Sequence, residues 1–376
     1  MLKIGVIGIG NAGSQVALVA HKEGIESMVL NSSEKDLAMV PDDMYKIPLG
    51  DLKGAGKNRE GAKKFLQEVA GKIISSEKFI NHVGDKDVVF IISSCGGGTG
   101  SGIVPVLTQI LTKSFPDTKM ILVGILPTLK EPYSTQTNTI EFTKELYGKL
   151  NNVTYMMYDN DKMKNIPSYK MMDSVNNEIV EDMKVLSCKY NIPTKYSSID
   201  ERDMLMILNT PGRIVLSRYI GFKDKDLDEK SIDKHLEDIL KTNAHAELQR
   251  DKKIMRTGLI VNLSQNIIDK FDENLAELQL FVGEPVEGFT HTAVNSEKVM
   301  DNVVCFIGSG LSPITDRIQK ITDRIAELDE ATEESLDNVD DVLNELDLDE
   351  VKKKKNYVEK DVAKKIVLDD IFNDFM

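Results

Sequence analysis

Residues 87–111 read DVVFIISSCGGGTGSGIVPVLTQIL, and this stretch decides the fold. Asp87 to Ser93 holds the apolar run VVFII, a buried strand, and Ile103 to Leu111 reads as a helix. Between them lie Gly96-Gly97-Gly98-Thr99-Gly100-Ser101-Gly102, five glycines in seven residues. Glycine destabilises a helix by up to about 1 kcal/mol per residue. A merely flexible turn has no need of Thr99 and Ser101 between the glycines. Consecutive backbone N–H groups and two hydroxyls, placed where a helix begins, form a nest for phosphate oxygens. No G-x-x-x-x-G-K-[ST] occurs, which excludes a P-loop NTPase.

Upstream, Lys3 to Ile9 reads as a buried strand rather than a signal peptide, because glycines interrupt its apolar run. It runs into Gly8-Ile9-Gly10-Asn11-Ala12-Gly13, after which Val16, Val19 and Ala20 fall at helical spacing. This G-x-G-x-x-G leaves a nicotinamide-dependent oxidoreductase open as a second reading. An NAD site ends its second strand with a carboxylate for the ribose. Here the second strand, Ser27 to Leu30, ends at Asn31, followed by Ser32 and Ser33. Residues 60–80 read as one helix with Phe65, Val69 and Ile73 on one face, and Met120 to Leu126 as a further strand. Strands and helices in alternation predict an α/β protein with a doubly wound, mostly parallel sheet.

A long helix is predicted over 168–190, N-capped by Ser168, with Met172, Val175, Ile179, Met183, Leu186 and Tyr190 as one stripe and Pro193 beyond its end. A second, smaller α/β domain follows from about 204. Its strand candidates are Ile214 to Leu216, Gly258 to Leu263, Leu278 to Val282 and Val303 to Ile307, and 223–252 reads as a charged amphipathic helix. Ser312-Pro313 opens a last long helix, with Ile314, Ile318, Ile321, Ile325 and Leu328 continued by Leu336, Val339, Leu343 and Leu346. That helix is either a surface helix fraying into a tail or an arm for a neighbouring subunit. The division expected is 1–167, 168–203, 204–312, 313–349 and a charged tail at 350–376. The tail ends in an apolar stripe, Leu368, Ile371, Phe372 and Phe375, suited to a partner peptide or to folding back on the body.

The net charge of −14 is uneven: residues 329–376 hold 16 Asp/Glu and 7 Lys/Arg, a net of −9. A body without net positive charge is not built to bind DNA directly. Cys95, Cys188 and Cys305 are scattered, as are the five histidines, so no zinc spacing exists and a reduced, cytoplasmic compartment is expected. No apolar run reaches the ~18–20 residues of a membrane span.

The loop GGGTGSG resembles the signature of the tubulin/FtsZ family, and matching motifs follow in order through roughly 1–312. Gly54-Ala55-Gly56-Lys57-Asn58 is similar to that family's third loop, Tyr158-Asp159-Asn160-Asp161 to its ribose and base stretch, and Asn177-Glu178 to its guanine-reading pair. Ser198-Ile199-Asp200-Glu201-Arg202-Asp203 resembles the loop that completes the neighbouring subunit's site, with Ser198 where the family has Asn. The resemblance implies a Rossmann-like GTPase domain that binds GTP or GDP with Mg²⁺ and assembles head to tail. It implies phosphate contacts from Gly10, Asn11, Ala12, Gly56, Lys57, Asn58, Gly96, Gly97, Gly98, Thr99, Gly100 and Ser101. It implies ribose and guanine contacts from Asn31, Glu131, Asn160 and Asn177, catalysis by Asp200 and Asp203 on the adjacent subunit's GTP, and no side-chain metal ligand. A GTP-gated scaffold without turnover stays open because of Ser198. The long acidic C-terminal helix is most similar to the TubZ group of plasmid and phage tubulins, whose filaments segregate DNA through an adaptor. An FtsZ-like division protein is the alternative within the family.

Overall fold

The computed structural model describes residues 1–223, 226, 231–248, 253–271, 275–295 and 301–345, with the backbone alone for 332–345. Ten strands form one sheet: β1 (Ile4–Ile9), β2 (Glu26–Asn31), β3 (Tyr45–Pro48), β4 (Val88–Ser94), β5 (Lys119–Leu126), β6 (Thr154–Asp159), β7 (Gly212–Phe222), β8 (Lys253–Ser264), β9 (Glu284–Asn295) and β10 (Asn302–Leu311). Their order is β3-β2-β1-β4-β5-β6-β7-β10-β8-β9. Neighbours from β3 to β7 are parallel, β10 runs antiparallel to both β7 and β8, and β9 is parallel to β8.

Twelve helices accompany them: α1 (Gly10–Lys22), α2 (Glu34–Ala38), α3 (Arg59–Ile74), α4 (Glu77–Gly84), α5 (Thr99–Ser114), α6 (Tyr133–Lys149), α7 (Ser168–Leu186), α8 (Glu201–Leu208), α9 (Ile232–Thr242), α10 (Gln265–Ile268), α11 (Ala276–Val282) and α12 (Thr315–Glu345). The parallel strands are apolar on both faces, as βαβ crossovers require. Val6, Phe90 and Val123 face α1 and α7, whereas Ile7, Ile91 and Leu122 face the side of α3, α5 and α6. In β10 the alternation continues, with Cys305 and Ile307 toward the first core and Val304 and Phe306 toward Leu236, Leu240 and Leu278. All three cysteines are free and buried. Among the described residues no helix is long and apolar enough to cross a membrane.

Several expectations are corrected. Residues 60–80 form two helices, because Ser76 breaks the first and caps the second through the Phe79 N–H. α7 ends at Leu186, with Cys188 at φ 65, so it spans 19 residues, about 28 Å at 1.5 Å per residue. Pro167 rather than Ser168 is its N-cap, and Met172 is exposed while Val175, Ile179, Met183 and Leu186 are buried. Leu278–Val282 is part of a helix, and the strand lies beyond it as β9. The boundary near 204 does not divide the sheet, since β7 continues it directly from β6 with Thr154 opposite Gly212.

α12 begins at Thr315, past the Ser312-Pro313 pair, and its first turns dock on α6 with Ile314 and Ile321 buried. Buried Arg317 holds them there. Its Nε donates to Asp159 Oδ2 at 2.6 Å, and its Nη2 donates to Asp159 Oδ1 at 3.1 Å and to the Pro127 carbonyl at 2.6 Å. Of the expected continuation, Leu336, Val339 and Leu343 lie in α12, described there by its backbone alone, whereas Leu346 and the charged tail with its Leu368–Phe375 stripe lie outside the described residues.

Candidate functional site

A cavity of about 570 Å³ opens at the carboxyl ends of β1, β4, β5 and β6, where doubly wound sheets place their ligands. Some helix starts are capped by a side chain, whereas α1, α5, α6, α7 and α10 have neither a capping side chain nor an acid in the first turn. α2, α3, α4, α8 and α9 are each N-capped by a side chain: Ser33, Asn58, Ser76, Asp200 and Ser231. Among the uncapped starts, α1 and α5 have Ile9 and Gly98 at their N-caps. Their first N–H groups and the positive ends of their dipoles are therefore left for a ligand in the cavity both helices line. Ser32 and Thr99 add hydroxyls, bonded to each other at 2.7 Å. Lys57 is the one basic side chain among the residues lining the cavity.

Lys57 lies at φ 66, a left-handed conformation that costs an ordinary residue roughly 1–2 kcal/mol. Its loop presses on the glycine loop: a Cβ on Gly98 would sit 2.9 Å from the Lys57 backbone nitrogen and 3.0 Å from that of Asn58. Gly98→Ala must push the two loops apart. We expect it to fold and to lose nucleotide affinity by at least about tenfold, as 1.4 kcal/mol of misplaced contacts would give. Titration with a fluorescent GTP analogue checks this, and undiminished affinity would move phosphate away from these loops.

The other end of the cavity is formed by Pro127, Glu131, Asn160, Met172, Val175 and Asn176. Apolar faces with a few amides and one carboxylate suit a flat, hydrogen-bonding heterocycle with its sugar. The Glu131 carboxylate accepts from the Thr128 N–H at 3.0 Å, which fixes the turn it sits on.

Of the residues singled out from sequence, Gly10, Asn11, Ala12, Asn31, Gly56, Lys57, Gly96, Gly97, Gly98, Thr99, Gly100, Glu131 and Asn160 line the cavity. Three do not. Asn177 is exposed to solvent, and its neighbour Asn176 stands on the cavity wall instead. One helical step is about 100°, so a small error in placing the stripe moves the amide off the site. Asn58 spends its side chain capping α3, accepting from the Gly61 N–H at 2.8 Å. Ser101 lies behind the loop. Its hydroxyl bonds the Gly97 carbonyl, and its own carbonyl, left without its helical partner by Pro105, accepts from Arg59 Nη2 at 3.0 Å.

Sequence reasoning missed Asp36, Gln15 and Thr135, which also line the cavity. Asp36 could have been found as the acid three residues after a Ser N-cap. It and Glu131 are the carboxylates among the lining residues, and Asp36 accepts from Asn31 Nδ2 at 3.1 Å. The Asp36 carboxylate and the Ser32 and Thr99 hydroxyls, all lining this cavity, are hard oxygen donors of the kind that suits a Mg²⁺ ion.

Asp200 and Asp203 lie elsewhere. They form a reciprocal capping box on α8, with Asp200 Oδ1 accepting from the Arg202 and Asp203 N–H groups at 2.7 and 2.9 Å and Asp203 Oδ2 accepting from the Asp200 N–H at 3.0 Å. The adjacent Glu201 accepts from the Met1 amine at 2.7 Å, at the start of β1. The cavity lies past the other end of β1, six strand residues away, which at about 3.3 Å each is roughly 20 Å.

Behind the cavity, α7 is tied to the second half of the sheet by a buried charge cluster. Asp182 accepts from Tyr158 Oη at 2.7 Å, lies 2.8 Å from His245 Nε2 and pairs with Arg218. Burial works against its charge, but Arg218 and His245 outweigh that and hold the carboxyl below its ordinary range. Burial, with Asp182 nearby, raises Glu178, which accepts from the Ala244 N–H at 3.0 Å. Glu178, Asp182 and His245 have the spacing of a metal site, but Asp182 is already paired with the Arg218 guanidinium.

The geometry has clear counterparts. Residues 3–168 match the family described as Tubulin/FtsZ family, GTPase domain. The tubulin-like protein CetZ of Pyrococcus furiosus is 29% identical over 226 residues, 57% of this chain and 60% of that protein. The cell division protein FtsZ 1 of Methanocaldococcus jannaschii is 28% identical over 239 residues, 61% of this chain and 62% of that protein. These matches thus span about 60% of each relative's length. A solved GTPγS-form protofilament of Bacillus thuringiensis serovar israelensis TubZ shares the fold, with a TM-score of 0.72 at 18% identity, covering 90% of this chain and 94% of that one. By that family match, the segment 3–168 is a tubulin/FtsZ-family GTPase domain.

Proposed function

We propose that this protein binds GTP in the cavity above β1, β4, β5 and β6, polymerises head to tail, and hydrolyses GTP where one subunit meets the next. The observation that carries the reading is the pair of uncapped helix N-termini, α1 and α5, lining one cavity with Ser32, Thr99 and Lys57. The phosphates lie on the N–H groups of Gly10 to Ala12 and Gly96 to Gly100, and the base lies between Met172, Val175 and the amides of Asn160 and Asn176. Asp36, Ser32 and Thr99 would hold Mg²⁺, which neutralises phosphate charge when bound.

Asp200 and Asp203 act on the nucleotide of the adjacent subunit. Each uses one carboxylate oxygen in the capping box, and neither has a further protein partner for its other oxygen among the described residues. That oxygen is available to orient and deprotonate a water. The rest of catalysis is positional and electrostatic, as phosphoryl transfer generally is. The cellular role we favour is DNA segregation in the cytoplasm, through an adaptor bound by the segment beyond residue 349.

Thermal shift with GTP, GDP and NADH, followed by negative-stain microscopy, tests the biochemical reading. Protection by GTP with filaments in GTP and none in GDP supports it, whereas protection by NADH alone overturns it. Unchanged inheritance of a plasmid on deletion of the gene from its host would remove the segregation role. A division defect in that strain would favour the FtsZ-like alternative.

A further inference from the structure

We infer that Asn138 and Thr135, on α6, are positioning residues that fix the Gly54–Asn58 loop against the glycine loop, and that this brace sets the preference for a triphosphate over a diphosphate. The inference rests on the proposed GTP site. The strained point of the Gly54–Asn58 loop is Lys57: Gly54 and Gly56 take positive φ, 87° and 54°, at no steric cost, but Lys57 does so at 66° with a side chain. Such a backbone persists only when its surroundings over-determine it.

The restraint comes from α6. One amide, Asn138 Nδ2, donates to the Lys57 carbonyl at 2.9 Å and to the Gly97 carbonyl at 3.0 Å, so a single side chain joins the two loops. A turn earlier, Thr135 Oγ1 accepts from Lys57 Nζ at 2.8 Å, and the ammonium also reaches the Gly96 carbonyl at 3.4 Å. A Cβ on Gly96 would sit 2.3 Å from Thr135 Cγ2, so this wall has no slack. α6 is itself well anchored. Its buried Glu145 pairs with Arg59 and Lys63 of α3, and Gln136 Nε2 donates to the Thr128 carbonyl at 2.8 Å.

The electrostatic consequence follows from what Lys57 lacks. Its ammonium rests on a hydroxyl and a carbonyl, both neutral, and pairs with no carboxylate among the described residues, so its charge is not cancelled there. The attraction of the one basic group lining the cavity grows with the negative charge of the ligand, and a triphosphate carries about one charge more than a diphosphate. Where that ammonium stands is decided by Thr135 and Asn138, so they control discrimination without touching the base.

The test compares full-length wild type, Asn138→Ala, Thr135→Val, Thr135→Ser and Lys57→Gln, each checked by circular dichroism for an unchanged fold. Affinities for GTPγS and GDP are measured in parallel. Asn138→Ala and Thr135→Val are expected to weaken GTPγS about tenfold more than GDP, Thr135→Val by freeing the Lys57 ammonium and Asn138→Ala by releasing the backbone that carries it. Thr135→Ser keeps the hydroxyl and is expected to retain the wild-type ratio. In the Lys57→Gln background, Asn138→Ala should change the ratio no further. Equal weakening of both nucleotides, failure of Thr135→Ser to retain the ratio, or an unaltered ratio in Asn138→Ala would overturn the brace while leaving the GTP site standing. A wild type that binds neither nucleotide would instead remove the GTP site itself.

Discussion

Asp200→Asn is expected to bind GTP like the wild type, to form longer-lived filaments, and to release phosphate about 10²–10⁴-fold more slowly, the range found when a general base is removed. Asparagine is the informative substitution. Asp200 is the N-cap of α8, and alanine there costs about 0.5–2 kcal/mol of helix stability, whereas asparagine caps as well as aspartate. The charge is thus lost without the cap. Asp200 lies at the opposite end of β1 from the cavity, so it cannot serve a nucleotide bound to its own subunit. Mixed with Gly98→Ala at a GTP concentration that leaves that variant's own pocket largely empty, Asp200→Asn should regain phosphate release, because its intact pocket then meets a neighbour's Asp200. No recovery in the mixture would mean catalysis in cis, and full activity of pure Asp200→Asn would take this carboxylate out of the mechanism.

Arg317→Met is expected to lower the unfolding midpoint by on the order of 10 °C. Arg317 and Asp159 are each about 4% exposed and meet through two hydrogen bonds. Removing one partner of such a pair leaves a buried charge unmatched, typically about 3–5 kcal/mol. The pH trend gives the cause away. Burial raises the Asp159 carboxyl above its ordinary 3.8 even with Arg317 opposing it, so the variant's should rise further. Between 3.8 and that raised value the folded state binds the extra proton, and stability falls as pH rises. The deficit of Arg317→Met should therefore be largest near neutrality and shrink as pH falls through this window. Scanning calorimetry at several pH values decides it, and a deficit independent of pH would assign the loss to packing of the arginine stem alone.

The two glycine loops were legible in the sequence because backbone chemistry demands glycine there whatever surrounds them. The parallel strands were legible for a similar reason, since burial on both faces leaves a continuous apolar run. What was not legible depends on distance. Arg317 finds Asp159 across 158 residues, and no local pattern announces that pairing. β9 begins EPVEGF and is half exposed at a sheet edge, so it lacks the signal of a buried strand. The run Leu278–Val282 looked like that missing strand, yet Leu275 at φ 45 and Gly283 at φ 106 bound a helix that sets Leu278 and Val282, four residues apart, in the same core. Asn176 and Asn177 are equally plausible as letters, and only the packed helix distinguishes them.

The direction of the strands carries a mechanical consequence. β1, β4 and β5 run from the face near α8, where Leu205 and Asn209 share a small cavity with Asp87, Lys119 and Met120, to the face that opens onto the nucleotide cavity. In a head-to-tail stack, tension enters at one of these faces and leaves at the other, along the strands and across the hydrogen bonds between them. Those bonds are then loaded in shear and share the force, instead of opening one after another as in peeling. A filament pulled at its ends should therefore snap between subunits before any strand is drawn out of its sheet.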